Sequence, residues 1–244
     1  METGIYKFAD HPVKICSVYP EVQALCADYR YDGEPEFTIC TTQEDIQKEA
    51  YFSAEENKLE GLPIRHYPAE YLETLAVYRK LADTLIHQNV LLFHGSVIAV
   101  DGQAYLFTAK SGTGKSTHTR LWREMFGARA VMVNDDKPLL AIKEGKVIAY
   151  GTPWNGKHRL GCNMSAPLSA ICVLERGQTN KIVPLQPSQA LTMLLQQSHR
   201  PVDAAGRLAY LEVLDRIAAA TRFFRLECNM DPEAAKVAYE AMKL

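Results

Sequence analysis

The sequence predicts a mixed α/β protein: a mixed sheet with hairpins, flanked by helices, following a small N-terminal α+β lobe. Three observations carry this. Strand-like and helix-like periodicities alternate through the C-terminal two thirds of the chain. Asp101-Gly102 stands between two apolar runs as a hairpin turn, and Glu144-Gly145 marks a second one, so the sheet is not purely parallel. The 244 residues, 47% hydrophobic and 23% charged, allow one large domain plus a small appendage. They are also enough to bury a core without disulfide or metal staples.

Residues 1–65 are read as the α+β lobe, with short strands at 5–8 and 37–40. Thr41 and Glu44 have the spacing of a capping box opening a polar helix to about residue 58. Gly and Pro around Glu60-Gly61-Leu62-Pro63 mark the boundary to a second domain, 66–244. That domain begins with a helix over 68–88, whose stripe is Tyr71, Leu75, Tyr78, Ala82 and Leu85. Asn89 closes it in the left-handed conformation. Strand runs follow at 91–100 and 103–108, a helix after residue 114 ending at Gly127, and a hairpin of 139–142 with 146–150. Residues 166–175 form a buried strand and 181–183 a short one. Helices are expected at 187–199 and 203–220, the second burying Tyr210, Val213, Leu214 and Ile217. A strand at 222–228 and a helix at 232–243 close the chain.

A net charge of −2 supplies no cationic excess to displace counterions, so nucleic acid is not an expected partner. No apolar run reaches the ~20 residues needed to span a bilayer. The opening METGIYKFADHPVKICSVYP lacks a basic segment followed by an apolar one, so no secretory leader is expected. The six cysteines contain no C-x-x-C pair, which argues against a zinc ribbon or thioredoxin-like site. A cytoplasmic protein with reduced, mostly buried thiols is the expectation.

The chemistry concentrates in Ala109-Lys110-Ser111-Gly112-Thr113-Gly114-Lys115-Ser116. This matches the phosphate-binding pattern G-x-x-x-x-G-K-S/T in all but the first position, with a strand before it and a helix after it. Gly112 and Gly114 let successive N–H groups turn inward as an anion nest. The start of the next helix adds its positive dipole end. Lys115 reaches phosphate oxygens, and the Ser116 hydroxyl is placed for Mg²⁺. Ala109 at the first position requires a backbone outside the positive-φ region.

A second constellation is the apolar run 130–133 ending in Asn134-Asp135-Asp136. One carboxylate there can hold a metal ion while its neighbour accepts a proton from an attacking hydroxyl. A solvated turn opening the next hairpin is the plainer account of the same residues. His94, within LLFHGSVIAV, reads from its surroundings alone as a core histidine.

Taken as a set, His94-Gly95, the loop Ser111–Ser116 and the Asp135-Asp136 pair resemble the HPr kinase/phosphorylase family. That family belongs to a wider group sharing its nucleotide site with ATP-dependent phosphoenolpyruvate carboxykinases. The resemblance covers roughly residues 90–175. It implies a P-loop nucleotide-binding core taking ATP and Mg²⁺ at Ser111, Gly112, Thr113, Gly114, Lys115, Ser116 and Thr117. It implies that Ser116 and Asp136 hold the metal and that His94 belongs to the active site with Lys115. Base catalysis falls to the Asp135-Asp136 pair. Thr117 stands where the family has Glu, and residues 147–151 lack the carboxylate that the family carries after its acidic pair. The implied activity is transfer of the ATP γ-phosphate to a hydroxyl, foremost of Ser or Thr in a protein or peptide. A small-molecule kinase and a non-catalytic ATP-sensing module are the other two readings.

Residues 151–161 hold three glycines, a proline, a tryptophan and three potential cations, a composition that suits a shaped surface loop. Lys157 and Arg159 are candidates to face the transferring phosphoryl group or an acidic acceptor. Trp154 either supports the loop or stacks on a ligand. The alternative is a connection with solvated cations and a gap-filling Trp.

Overall fold

A computed structural model describes residues 1–59, 63, 66–110 and 112–243. The expected boundary at Glu60, Gly61 and Leu62, and the loop residue Ser111, lie outside the described residues. Two compact units are formed, 1–84 and 85–244.

In the first unit, β1 (Glu2–Phe8) and β2 (His11–Ser17) form an antiparallel hairpin. Strand β3 (Phe37–Cys40) joins β2 in parallel. The unit also contains α1 (Glu21–Leu25), α2 (Gln43–Leu59) and α3 (Ala69–Leu85). All but the last residue of α3 falls in this unit, although its sequence position had grouped it with the second domain. The capping pair of α2 is shifted by one residue from the expected Thr41 and Glu44. The Thr42 N–H donates to Asp45 Oδ2 at 2.9 Å, and the Asp45 N–H donates back to Thr42 Oγ1 at 3.3 Å. Thr41 is drawn elsewhere: its hydroxyl donates to the buried carboxylate of Glu73. That carboxylate also accepts the N–H groups of Val18 and Tyr19, at 2.6 and 2.8 Å. A buried charge needs such partners, and they set the rotation of α3. Leu72, Ala76, Val77 and Leu81 therefore face inward, while Tyr71 of the expected stripe is 45% exposed.

The second unit is built on a mixed sheet. Its strand order is β4 (Val90–Leu92), β8 (Leu139–Lys143), β9 (Lys146–Tyr150), β10 (Ser165–Arg176), β6 (Gln103–Thr108), β5 (Ser96–Val100) and β7 (Ala130–Asn134). Strand β12 (Arg222–Cys228) pairs with β10, and β11 (Lys181–Pro184) pairs with β12. Strand β10 runs parallel to β6 and to β12, and the remaining pairs are antiparallel. Both expected hairpins form, with positive φ at Asp101 and Gly102 and at Glu144 and Gly145, as two-residue turns require. The run 91–100 is not one strand. Strand β4 pairs with β8 whereas β5 pairs with β6 and β7, so the chain breaks between them at Phe93-His94-Gly95.

Period-two alternation assigns the two faces. Val97, Ala99, Leu106 and Ile171 face one core with Leu194, Tyr210, Leu214 and Ile217 of α5 (Pro187–Gln197) and α6 (Ala204–Ala220). Ile98, Val100, Phe107 and Cys172 face the other with Leu121, Trp122, Ala235 and Ala238 of α4 (Lys115–Phe126) and α7 (Glu233–Met242). A sheet covered on both faces projects function at its strand ends. All six cysteines are free thiols; Cys16, Cys26 and Cys172 are buried as expected, but Cys40 and Cys162 are exposed. Among the described residues, no helix is long and apolar enough to cross a membrane.

Candidate functional site

Strand β6 ends at Thr108, and α4 starts at Lys115 after a short loop. Gly112 and Gly114 sit at φ 73° and 130°, where a side chain would be strained. Ala109 keeps φ out of the positive region and is buried. Lys115 Nζ donates to the Ala109 carbonyl at 3.2 Å, bending the chain back over the loop. Gly114 provides no side-chain cap. The first-turn N–H groups of α4, including those of Ser116 and Thr117, have no helical acceptor. They form a donor surface at the positive end of the helix dipole. Arg176, at the end of β10, holds the loop from outside, donating to the carbonyls of Gly112 at 2.6 Å and Thr113 at 3.5 Å.

Beside the loop, β5 and β7 bring His94 to the acidic pair. The Gly95 N–H donates to the Asp136 carbonyl at 3.0 Å, and the Ser96 hydroxyl to the Asp135 carbonyl at 3.0 Å. His94 Nε2 then lies 3.3 Å from Asp136 Oδ1, with Lys137 Nζ at 3.8 Å from the same oxygen. Burial pushes His94 below its usual range, with Lys137 and Lys115 acting in the same direction against the Asp136 carboxylate. Burial alone would raise Asp136, but the hydrogen bond from His94 and the charges of Lys137, His94 and Lys115 outweigh it and hold the carboxyl low. At neutral pH the pair is a neutral imidazole donating to a carboxylate.

Asn134 organises this turn. Its buried Oδ1 accepts the N–H groups of Asp136 and Lys137 at 2.8 and 2.6 Å, while Nδ2 donates to Thr152. The 151–162 loop is docked on the same strand end. The Gly156 N–H donates to Asp135 Oδ1 at 2.7 Å, and the Cys162 N–H to the Val133 carbonyl at 3.3 Å. Trp154 is 6% exposed, which commits its ring to packing in support of the loop rather than to a surface ligand. Lys157 and Arg159 are exposed, next to the residue that holds Asp135. The sequence named the Asn134-Asp135-Asp136 turn but missed Asn134 as its organiser. It also missed Arg176 and Gln197, whose carbonyl accepts the His94 N–H at 2.6 Å. These contacts join residues far apart in the chain and have no local signature.

No group of three or more His, Cys, Asp or Glu among the described residues is arranged to hold a metal ion. Mg²⁺ bound through a polyphosphate needs only one or two carboxylates, since phosphates and water complete its shell. The exposed Ser116 hydroxyl and the one-third-exposed Asp136 carboxylate fit that requirement.

Fold and site together define a mixed α/β protein that sets a glycine-turned strand–loop–helix segment beside a His–Asp pair. The chain belongs to the ScmC family: the family model described as SynChlorMet cassette protein ScmC matches residues 69–234. Among solved structures, the Hpr(Ser) kinase/phosphatase from Coxiella burnetii is similar, at 10% identity and a TM-score of 0.35. The match covers 62% of this chain and 95% of that one. Comparison with curated proteins gives no match.

Proposed function

We propose that this protein is an ATP-dependent phosphotransferase that moves the γ-phosphate to a hydroxyl, foremost of Ser or Thr in a protein or peptide. The observation that carries the reading is the open N-terminus of α4 after the positive-φ glycines Gly112 and Gly114, with Lys115 folded back onto the loop at the Ala109 carbonyl. Phosphoryl transfer is catalysed mainly by positioning and by charge stabilisation. Here the nest of Gly112, Thr113 and Gly114, and the N–H groups of Ser116 and Thr117, bind phosphate oxygens. Lys115 neutralises their charge. Ser116 and Asp136 would hold Mg²⁺, which supplies further neutralisation between the phosphates. Asp135, kept in place by the Gly156 N–H, accepts the acceptor hydroxyl's proton as the new O–P bond forms and the β–γ bond breaks. His94 orients Asp136 by donating to it. Lys157 and Arg159 face the incoming acceptor.

The test is incubation with γ-labelled ATP and a panel of hydroxyl acceptors. Label in a polypeptide supports the reading, and label only in a small molecule redirects it to a metabolite kinase. ATP binding without transfer to any acceptor would leave a nucleotide sensor and overturn the enzyme assignment.

A further inference from the structure

Lys157, His158 and Arg159 sit on a turn that hangs from Asp135. The Arg159 N–H closes the turn by donating to the Gly156 carbonyl at 3.0 Å, and the Gly156 N–H anchors it at 2.7 Å from Asp135 Oδ1. All three basic residues are exposed, and among the described residues none of their side chains makes an ion pair or a hydrogen bond. Lys and Arg number 27 against 29 Asp and Glu, so no excess of positive charge forces cations to stand alone here. We infer that this turn recognises acidic side chains flanking the acceptor hydroxyl, so that the acceptor is a Ser or Thr set among Asp or Glu residues of a polypeptide. The inference rests on the proposed function and adds to it the class of acceptor.

The turn is held in one shape. Gly161, two residues past it, has no room for a side chain, since a Cβ there would overlap Asn155 Oδ1 and lie 3.0 Å from Asn134 Cα. The two limbs of the loop are therefore pressed together over the Asn134 turn. Arg159 takes φ 46°, a left-handed conformation uncommon outside glycine, and such positions persist only where the surroundings impose them. Cations on a fixed turn lose little backbone freedom when an anion arrives. Arg159 adds a planar fork that meets a carboxylate with two parallel hydrogen bonds.

Asp135 fixes which reactant the turn meets. In the proposed transfer the acceptor oxygen comes within about 2.6–3.2 Å of that carboxylate to release its proton. Gly156 keeps the loop's own cations off it. A Cβ there would already lie 3.2 Å from Asp135 Oδ2, and the carboxylate has no ion pair among the described residues. The charges of Lys157 and Arg159 are thus held beside the base without being used on it. An extended polypeptide advances about 3.3 Å per residue, so residues one to three places from the acceptor pass within reach of these long side chains. The phosphates already have Lys115 and the first-turn N–H groups of α4, which leaves the turn to the acceptor.

The test is phosphotransfer by the full chain from γ-labelled ATP to a positional peptide library, each peptide having a central Ser or Thr and one fixed flanking residue. Asp or Glu at one or more flanking positions is expected to be labelled roughly 5- to 20-fold faster than Gln or Lys there, the combined effect of two or three exposed ion pairs. The preference should lie in KM rather than kcat, as binding shared by ground and transition states does. The double variant Lys157→Gln/Arg159→Gln should lose the preference. Lys157→Glu/Arg159→Glu should reverse it toward Lys or Arg, a gain that damage to the loop does not produce. Equal labelling of acidic and neutral peptides by the wild type overturns the inference, as does selection of phosphoserine without Asp or Glu. So does an acidic preference that survives in both variants, or a loss of Mg·ATP affinity in them at unchanged melting temperature, which would return the two cations to the nucleotide. A wild type that binds Mg·ATP and labels no peptide also overturns it. A wild type that binds no Mg·ATP contradicts the phosphate-loop reading itself, a separable result.

Discussion

At the scale of single residues, the two adjacent carboxylates are made unlike by their surroundings. Asp136 is held low beside His94, Lys137 and Lys115, which suits a group that must stay charged near phosphate and Mg²⁺. Asp135 is held by one backbone N–H from the 151–162 loop, and the proposed mechanism assigns it the acceptor's proton. Asp135→Asn is expected to lower transfer by about 10²- to 10⁴-fold, the usual cost of a lost general base, with Mg·ATP affinity retained. Asp136→Asn is expected to weaken Mg·ATP binding as well. Titration alongside single-turnover transfer distinguishes the two, and near-normal kinetics in both would remove the pair from the mechanism. His118 is different again. It is buried in α4, where Trp122 Nε1 donates to its Nε2 at 3.1 Å and its Nδ1 has no partner among the described residues. Burial pushes its pKa down to about 4. Between the ordinary histidine pKa of ~6.5 and about 4, the unfolded chain takes up a proton that the folded chain refuses. Stability therefore falls as pH is lowered through that window, by about 3 kcal/mol. His118→Phe costs some stability at every pH but should flatten that slope, as read from urea denaturation between pH 7 and pH 4.

At the scale of elements, what was legible in the sequence was what is local. Both hairpins follow from Asp101-Gly102 and Glu144-Gly145, where two consecutive residues take positive φ. The inward face of α6 follows from the spacing of Tyr210, Val213, Leu214 and Ile217, all buried. The illegible part depends on distant partners. The rotation of α3 is set by Glu73 reaching Val18, Tyr19 and Thr41, and the break at His94 by strands that choose different neighbours. The phosphate-type loop was legible as a motif, but its external restraint was not, because Arg176 lies 64 residues from the Gly112 carbonyl it holds. Arg176→Ala is expected to weaken ATP by about 3- to 10-fold, since a charged hydrogen bond contributes ~1.5–3 kcal/mol before solvent exposure reduces it. The melting temperature should hardly move. Arg176→Lys should recover little, because an ammonium lacks the planar fork that spans two carbonyls. Full ATP affinity in Arg176→Ala would mean that the glycines alone shape the loop.

At the scale of the whole molecule, the unit of residues 85–244 is a sheet packed on both faces, so its reactive groups collect where strands end and loops begin. The ends of β5, β6 and β7 supply His94, the loop and the acidic pair, and the end of β10 supplies Arg176. A ligand that binds only this folded arrangement stabilises it, by about 2.7 kcal/mol at a hundred times its Kd. Adding Mg·ATP should therefore raise the melting temperature and slow amide exchange over residues 112–118. The central claim is that the loop between β6 and α4 binds the phosphates of a nucleotide, with Lys115 as its main neutralising charge. Titration of Mg·ATP into wild type and Lys115→Met tests this most directly. The wild type is expected to bind, and the variant to bind at least tenfold more weakly with an unchanged melting temperature in the absence of nucleotide. Equal affinity in the two proteins would contradict the account.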